Sequence, residues 1–503
     1  MGGEVEGGEG PRGSERQGSP RRLDAVIVGL GLLLIGATFA PTLGFDFVSW
    51  DDPIHVTENP LVVGGREVAL KERLLTPHLG YPTPLTVMSY QVEHAIFGLD
   101  PAPYHATNVL LHLIVCLLVF AMGRRLGLGA VGAGVAMIVF GLHPMVAEPV
   151  SWVTGRKDLL AALLCLGAAL EFTRRPFEVR RPRTWAALVM FVMAALSKPV
   201  SLFLAPLLFV WHLARRREGV RAALVACAPL FVFAALLFPV ALVGQGATDS
   251  LRTEHGALSV LREAWYALGF HQGLLIFAHE PSVKYIPAQW PPPFDPVVDL
   301  MPLAWAAALA LLVKAAPARH RPAAMVAICW AALSYLPSSS LIPLTRYLAD
   351  VYLYMPLMGL GWLLGAVVER REIEGLDRRE RLMMGGAALA LSALLVALTL
   401  PSSARWRDSV SLWGSAYALY PGDMRLCRNT GNGYFSRKQF DLALRQYVHC
   451  AERFGPDDLE KNIAVTLASM GRGGEALDLF VEIERKRPGD PTVRRYIERL
   501  SAP

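Results

Sequence analysis

Apolar and charged positions in this chain are grouped in blocks rather than alternating singly. Ala25–Leu43 is the first long apolar run, preceded by Arg21 and Arg22. His105–Gly123 ends at Arg124 and Arg125, Gly129–Leu142 at His143, and Leu159–Phe172 at the cluster from Arg174 to Arg183. Trp185–Leu196 ends at Lys198, Val200–Leu213 at Arg215–Arg217, and Ala222–Val243 follows. Pro302–Ala316, Ala323–Leu336, Val351–Val368 and Leu382–Leu400 complete the series. Each run reads as a helix in or across a bilayer, and the pattern predicts about eleven spans. Several runs are shorter than the twenty or so residues a span needs, so polar residues at their ends must face protein or a cavity.

The basic clusters set the orientation, because Lys and Arg favour cytoplasmic loops. On that rule the N-terminus is inside and the loop after the first run is outside. Residues 1–22, rich in Gly, Glu, Ser and Arg, are expected to be a disordered tail. Residues 23–400 form the multi-spanning body. Within it, 44–104 is a first external loop carrying an interfacial helix in YPTPLTVMSYQVEHAIFG, and 244–299 is a second with an interfacial or re-entrant helix. Residues 401–503 turn polar and helical and are expected outside as a separate domain.

That tail contains a self-similar pair. Tyr434, Ala443 and Tyr447 match Leu467, Ala476 and Phe480 at an offset of 33 residues, and Gly431 matches Ala464. The spacing is that of tetratricopeptide helical hairpins. Two units are few, so residues 402–420 and 491–500 are expected to flank them as helices. In an antiparallel hairpin, Cys427 faces Cys450, either as a disulfide or as two unbonded core thiols.

Composition narrows the class. Apolar residues make up 53% of the 503, which excludes an ordinary soluble multidomain protein. The +6 net charge sits in short loop clusters and reads as topology, so no nucleic-acid partner is expected. Cys116, Cys165, Cys227 and Cys329 lie in apolar runs, and no Cys/His spacing suggests zinc.

Candidate chemistry collects on the outward side. Asp51 and Asp52 adjoin Trp50 just beyond the first run. Asp before Pro also favours a turn, and that reading weighs against a catalytic acid on position alone. Glu58 shares the loop; Tyr104, His105, Asn108 and His112 start the second run. HPMVAEPVSWVTGRKD supplies His143, Glu148, Trp152, Arg156, Lys157 and Asp158. Lys198, Lys284, Arg346, Asp350, Tyr352 and Tyr354 follow. Any one of them has a bland reading, as a snorkelling cation or an interhelical bond. Together, acids suited to general-base work and cations suited to phosphate fit transfer from a lipid-linked phosphate donor. Arg156, Lys198 and Arg346 are the expected phosphate ligands, with at least two in one cavity. Asp51 is the favoured acid and Asp52 its supporter.

WDDPIHVTENP, YPTPLT, YHATNVLLHLIVCLLVF, HPMVAEPVSWVTGRKDLLAALL, ALSKPVSLFLAPLLFVW and ADVYLYMP, followed by the repeats, resemble the transmembrane and tetratricopeptide repeat-containing O-mannosyltransferases and their bacterial relatives. These are GT-C glycosyltransferases, and the resemblance covers roughly residues 24–490. It implies an all-α GT-C-like helical bundle with a catalytic acid in the first external loop, matched here by Asp51 or Asp52. It also implies a polyprenyl- or dolichyl-phosphate sugar donor, and inverting transfer, often of mannose, to a protein hydroxyl. Partners would be membrane lipid, that donor, and a protein or peptide acceptor reached through the repeats. No cofactor is assigned with certainty, and a divalent metal is left open without assigned ligands. The membrane would be the bacterial inner membrane, or the endoplasmic reticulum in a eukaryote, with the repeats periplasmic or lumenal. Relatives often carry Arg in ADRYLY where this chain has Val351, a gap Arg346 is placed to fill. A scaffold that has lost catalysis, and a polysaccharide polymerase or ligase, remain as alternatives.

Overall fold

The computed structural model describes residues 20–64, 81–174, 178–215, 219–247, 256–277, 282–286, 292–342, 346–369, 377–457 and 459–502. Among these the chain is helical, with no β-strand. The expected disordered tail lies outside the described residues up to residue 19; the first helix, α1 (Pro20–Phe39), starts two residues before Arg22. Then come α2 (Pro84–Phe97), α3 (Pro101–Arg125), α4 (Ala130–Leu142), α5 (Arg156–Arg174), α6 (Pro182–Ser197), α7 (Leu204–Arg215) and α8 (Val220–Ala247). They are followed by α9 (Ala257–Phe277), α10 (Pro296–Ala315), α11 (Arg321–Tyr335), α12 (Tyr354–Val368) and α13 (Arg378–Ala404). The tail holds α14 (Ser409–Leu419), α15 (Met424–Ser436), α16 (Phe440–Phe454), α17 (Glu460–Ser469), α18 (Gly473–Lys486) and α19 (Pro491–Ser501). Many starts are written locally. Pro follows a capping Asp at Asp100–Pro101, Asp295–Pro296 and Asp490–Pro491, and each Asp side chain accepts a first-turn N–H.

Six helices are long and apolar enough to cross a membrane, or seven if α4 and the short helix after it, bent by 57°, count as one. The count of about eleven included runs that fold as shorter helices, among them α6 and α7. Burial separates centre from periphery. For α12, 72% of the apolar window is buried, against 11% for α10 and for α13. The centre is tight because α12 carries small residues on two sides. A Cβ on Gly365 would meet Gly132 O at 2.2 Å, and one on Gly359 would meet Ala327 O at 2.4 Å. Such small positions let helices approach where lipid gives no hydrophobic drive. Indole N–H groups tie the same core across helices: Trp330 donates to Met355 O and Trp362 to Val119 O, both at 2.9 Å. His112 bonds the Tyr354 hydroxyl at 2.9 Å and Gly141 O at 3.1 Å, which is the interhelical role.

The stretch expected as an interfacial helix forms α2, with Met88, Val92 and Ile96 exposed along one face and Val87 and Tyr90 buried on the other. In the second long segment α9 packs along α10, where Trp305 donates to Gln272 O at 3.2 Å. In the tail, α15–α16 and α17–α18 are successive hairpins. Ala443 and Tyr447 are buried in one as Ala476 and Phe480 are in the next. Gly431 matters here, because a Cβ would lie 2.5 Å from the Tyr447 ring. The flanking helices form as α14 and α19, the latter stacking Tyr496 on Phe480 at 4.8 Å. Cys427 and Cys450 are disulfide-bonded, with Cα atoms 5.9 Å apart.

Candidate functional site

The turn after α1 is held from three directions. Phe45 and Val48 sink into a cluster with Trp152, Trp406, Leu412 and Trp413. Asp52 is buried and used up internally: it accepts from Val48 N–H at 2.9 Å, from Thr154 N–H at 3.2 Å and from the Thr154 hydroxyl at 2.6 Å. Burial pushes its carboxyl up to about 6, against those three hydrogen bonds. The Asp51 side chain makes no such bonds among the described residues and lines a cavity. Its carboxyl is raised mainly by desolvation, with Lys157 and Arg346 pulling the other way. The two acids are therefore placed differently, Asp52 inside the turn among three donors and Asp51 on the cavity wall.

The segment from His143 onward is broken into short turns before α5, so it can present several side chains at one level. His143 caps the first turn through Met145 N–H and its other ring nitrogen meets Leu275 O at 3.2 Å. Glu148 is buried, pairs with Arg346 at 2.8 Å and accepts from Val351 N–H at 3.3 Å. Trp152 stacks on Trp406 at 5.2 Å, and the Lys157 ammonium lies 5.2 Å over the Trp152 ring.

The cavity has a volume of about 400 Å³. Asp51, Lys157, Lys198, Arg346 and Tyr352 form its polar end, with Trp50, Tyr81 and Trp152 around them. Val200, Leu202, Phe238 and Leu242 form an apolar end that runs onto α8. That helix is a candidate span with only 17% of its apolar window buried. Two of the cations are backed by carboxylates: Lys198 by Asp158 and Arg346 by Glu148. Lys157 makes no ion pair among the described residues and has Asp51 as an attracting charge. A negatively charged head with a long apolar tail is the ligand shape this surface suits.

Lys198 and Arg346 thus share one cavity, and Lys157 joins them. Arg156 does not. It is fully buried among Asn108, Ser89, Tyr104 O and Glu93, over the Tyr90 ring at 4.6 Å. Every face of its guanidinium is spent inside the protein, so its assignment as a phosphate ligand is corrected to a structural one. His105 is buried edge-on to Phe45, away from the cavity lining. Asp350 accepts from the Tyr285 hydroxyl behind Glu148. Tyr352 lines the cavity and donates to Arg346 O. Thr154 and Tyr81 were not singled out from sequence; both sit inside motifs that were, VTGRKD and YPTPLT. Among the described residues no group of three or more His, Cys, Asp or Glu is placed to hold a metal ion.

Fold and cavity define the class as a multi-spanning, all-helical membrane protein with an acid and three cations at one end of its bundle. Within that class the chain is similar in sequence to TMTC protein O-mannosyl-transferases. It is 23% identical to mouse protein O-mannosyl-transferase TMTC3 over 460 residues, 83% of this chain and 49% of that one. It is 24% identical to Drosophila melanogaster Tmtc3 over 496 residues, 80% of this chain and 52% of that one. It is 31% identical to Drosophila Tmtc1 over 166 residues, 31% of this chain and 18% of that one. The chain therefore spans about half, or less, of the relatives it matches. No family model matches. The crystal structure of ArnT from Cupriavidus metallidurans bound to undecaprenyl phosphate overlaps 94% of this chain and 84% of its own, at a TM-score of 0.40 and 18% identity, too loosely to establish a shared fold.

Proposed function

We propose that the chain is a GT-C-type glycosyltransferase that moves a hexose such as mannose from a polyprenyl- or dolichyl-phosphate donor to a protein hydroxyl, with inversion, on the external face of the membrane. The observation that carries this reading is the two-ended cavity. Its cations face a free acid at one end, and its apolar end continues onto a lipid-facing helix. A donor of this class has one negative charge on its phosphodiester. When the acceptor oxygen attacks the anomeric carbon and the sugar–phosphate bond breaks, the departing lipid phosphate carries two. Lys157, Lys198 and Arg346 would favour the transition state because charge grows beside them. Asp51 would take the acceptor proton. No acid is needed for the leaving group, which suits a site with one free carboxylate. The relatives are named as protein O-mannosyl-transferases, which supports mannose and a protein acceptor for this chain. The hairpin repeats beside the loop, read as tetratricopeptide units, would present that acceptor.

The test is incubation of purified protein with mannosyl- and glucosyl-phosphate polyprenols and a Ser/Thr peptide library, reading glycopeptide and free lipid phosphate together. Stoichiometric appearance of both is expected. Absence of both across donors, from protein that keeps its fold, overturns the reading.

A further inference from the structure

The tail does more than sit beside the membrane body. We infer that Trp413, on the tail helix α14, is a positioning residue for the proposed site, fixing the Ser49–Asp51 turn. This rests on reading the cavity as the donor site. The contacts converge from one helix. The Trp413 indole N–H donates to the Ser49 hydroxyl at 3.0 Å, and the Ser49 N–H donates to the Ser409 hydroxyl at 2.9 Å. Ser409 and Trp413 are four apart on α14 and so share a face. The Trp413 ring packs on Trp50 at 5.0 Å, and the Arg346 guanidinium carbon lies 5.5 Å from the Trp50 ring. Asp51 is the next residue. A second tie anchors the turn's start: Asp46 N–H donates to Arg407 O at 2.8 Å, and Arg437 bridges Asp46 and Asp408 at 2.8 and 3.0 Å.

Plain packing would bury the Trp413 ring without aiming its one donor. Here that donor is spent on the residue two before the acid, and the residue's amide is held by the same helix. Within the turn Trp50 N–H donates to Val48 O at 2.8 Å, His55 N–H to Asp51 O at 3.0 Å and Val48 N–H to the Asp52 carboxylate, and the two bonds from α14 tie Ser49 between them to the tail. Tail and acid are thus one unit, and removing the Trp413 donor should loosen the acid without emptying the cavity.

The experiment uses the full chain in detergent and compares Trp413→Phe, Ser49→Ala and the double variant. Trp413→Phe keeps the ring and loses the hydrogen bond. Its kcat should fall about fivefold, the size expected for one hydrogen bond, while affinity for undecaprenyl phosphate stays within about twofold. The double variant should be no worse than Trp413→Phe, because both remove one interaction. Among the described residues, the charged and titratable groups facing Asp51 are Lys157, Arg346, Lys198, Asp52, Tyr81 and Tyr352, all unchanged in these variants. A looser, wetter Asp51 should lose part of its desolvation, moving the acidic limb of kcat to lower pH. Hydrogen exchange of the 46–52 amides should speed up, a readout that needs no turnover. Unchanged exchange at 46–52 in Trp413→Phe overturns the positioning role whatever the activity. Lower thermal stability with kcat and the pH limb unchanged overturns it too. Wild-type protein that neither binds undecaprenyl phosphate nor transfers sugar would instead sink the donor reading, leaving the exchange result to decide the positioning role.

Discussion

Asn substitution at Asp51 and at Asp52 should give opposite phenotypes, and the structure supplies both magnitudes. Asp52 faces three donors, the N–H groups of Val48 and Thr154 and the Thr154 hydroxyl. An Asn amide offers one acceptor oxygen, so its NH₂ must meet a buried donor at a cost of about 1–3 kcal/mol. Charge works the other way. The Asp52 carboxyl is raised from 3.8 to about 6 by burial. The folded protein therefore holds its proton over a range in which the unfolded chain has released it, and wild-type stability falls as pH rises through that window. Above it the ionised, buried Asp52 costs on the order of 3 kcal/mol, a cost that Asn does not carry. Between about pH 4.5 and about pH 7.5 the wild-type should lose about 2 kcal/mol from this group alone, narrowing its lead over Asp52→Asn by that amount. Asp51→Asn faces no such donor set, should remove the part of the pH dependence that the raised Asp51 carboxyl supplies while leaving the larger Asp52 part, and should lower transfer by about a hundredfold or more. The assay is thermal unfolding in detergent across that pH range, paired with transfer at neutral pH. A pH-independent gap for Asp52→Asn would refute the bracing assignment, and wild-type turnover in Asp51→Asn would refute the base.

Two further outcomes follow from the same geometry. Lys157→Gln removes a cation that holds up no carboxylate among the described residues, so affinity for undecaprenyl phosphate should fall about tenfold with stability kept. Arg156→Gln should instead cost about 3–5 kcal/mol by stranding buried Glu93, with the folded fraction binding the lipid phosphate normally. In protein isolated without reductant, Cys427 and Cys450 should resist thiol labelling. Reduction should cost the tail about 3 kcal/mol, since the bridge closes a loop of 23 residues.

Much of this was legible in the sequence because it is local. Asp–Pro steps mark helix starts, the 33-residue offset marks the hairpins, and antiparallel indexing brings Cys427 to Cys450. Lys198 and Arg346 stood out as cations on the outward side, where the loop bias does not ask for them. What the sequence hides is who pairs with whom across the fold. Arg156 looks like its neighbour Lys157, and only the position of Glu93 on α2, 63 residues earlier, makes one structural and leaves the other in the cavity. Asp51 and Asp52 are equally alike until Thr154, 102 residues on, claims one of them. The docking of α14 on the turn joins residues 364 apart, and no periodicity reports it.

Val351, where the resemblance leads to an expectation of Arg, lines the cavity with an apolar side chain. Five residues earlier, Arg346 lines the same cavity with a guanidinium. Both positions are fixed by one carboxylate, since Glu148 accepts from the Val351 N–H and pairs with the Arg346 side chain. The Val351 bond is to backbone, so it survives any side chain there. Glu148 can therefore keep the 350–353 turn in place while the cation arrives from a different point on the chain. Beyond Glu148, the Arg346 guanidinium donates to Val283 O at 3.0 Å and lies 5.5 Å over the Trp50 ring. The Arg346 guanidinium at this part of the cavity is thus held by Glu148, Val283 O and the Trp50 face together.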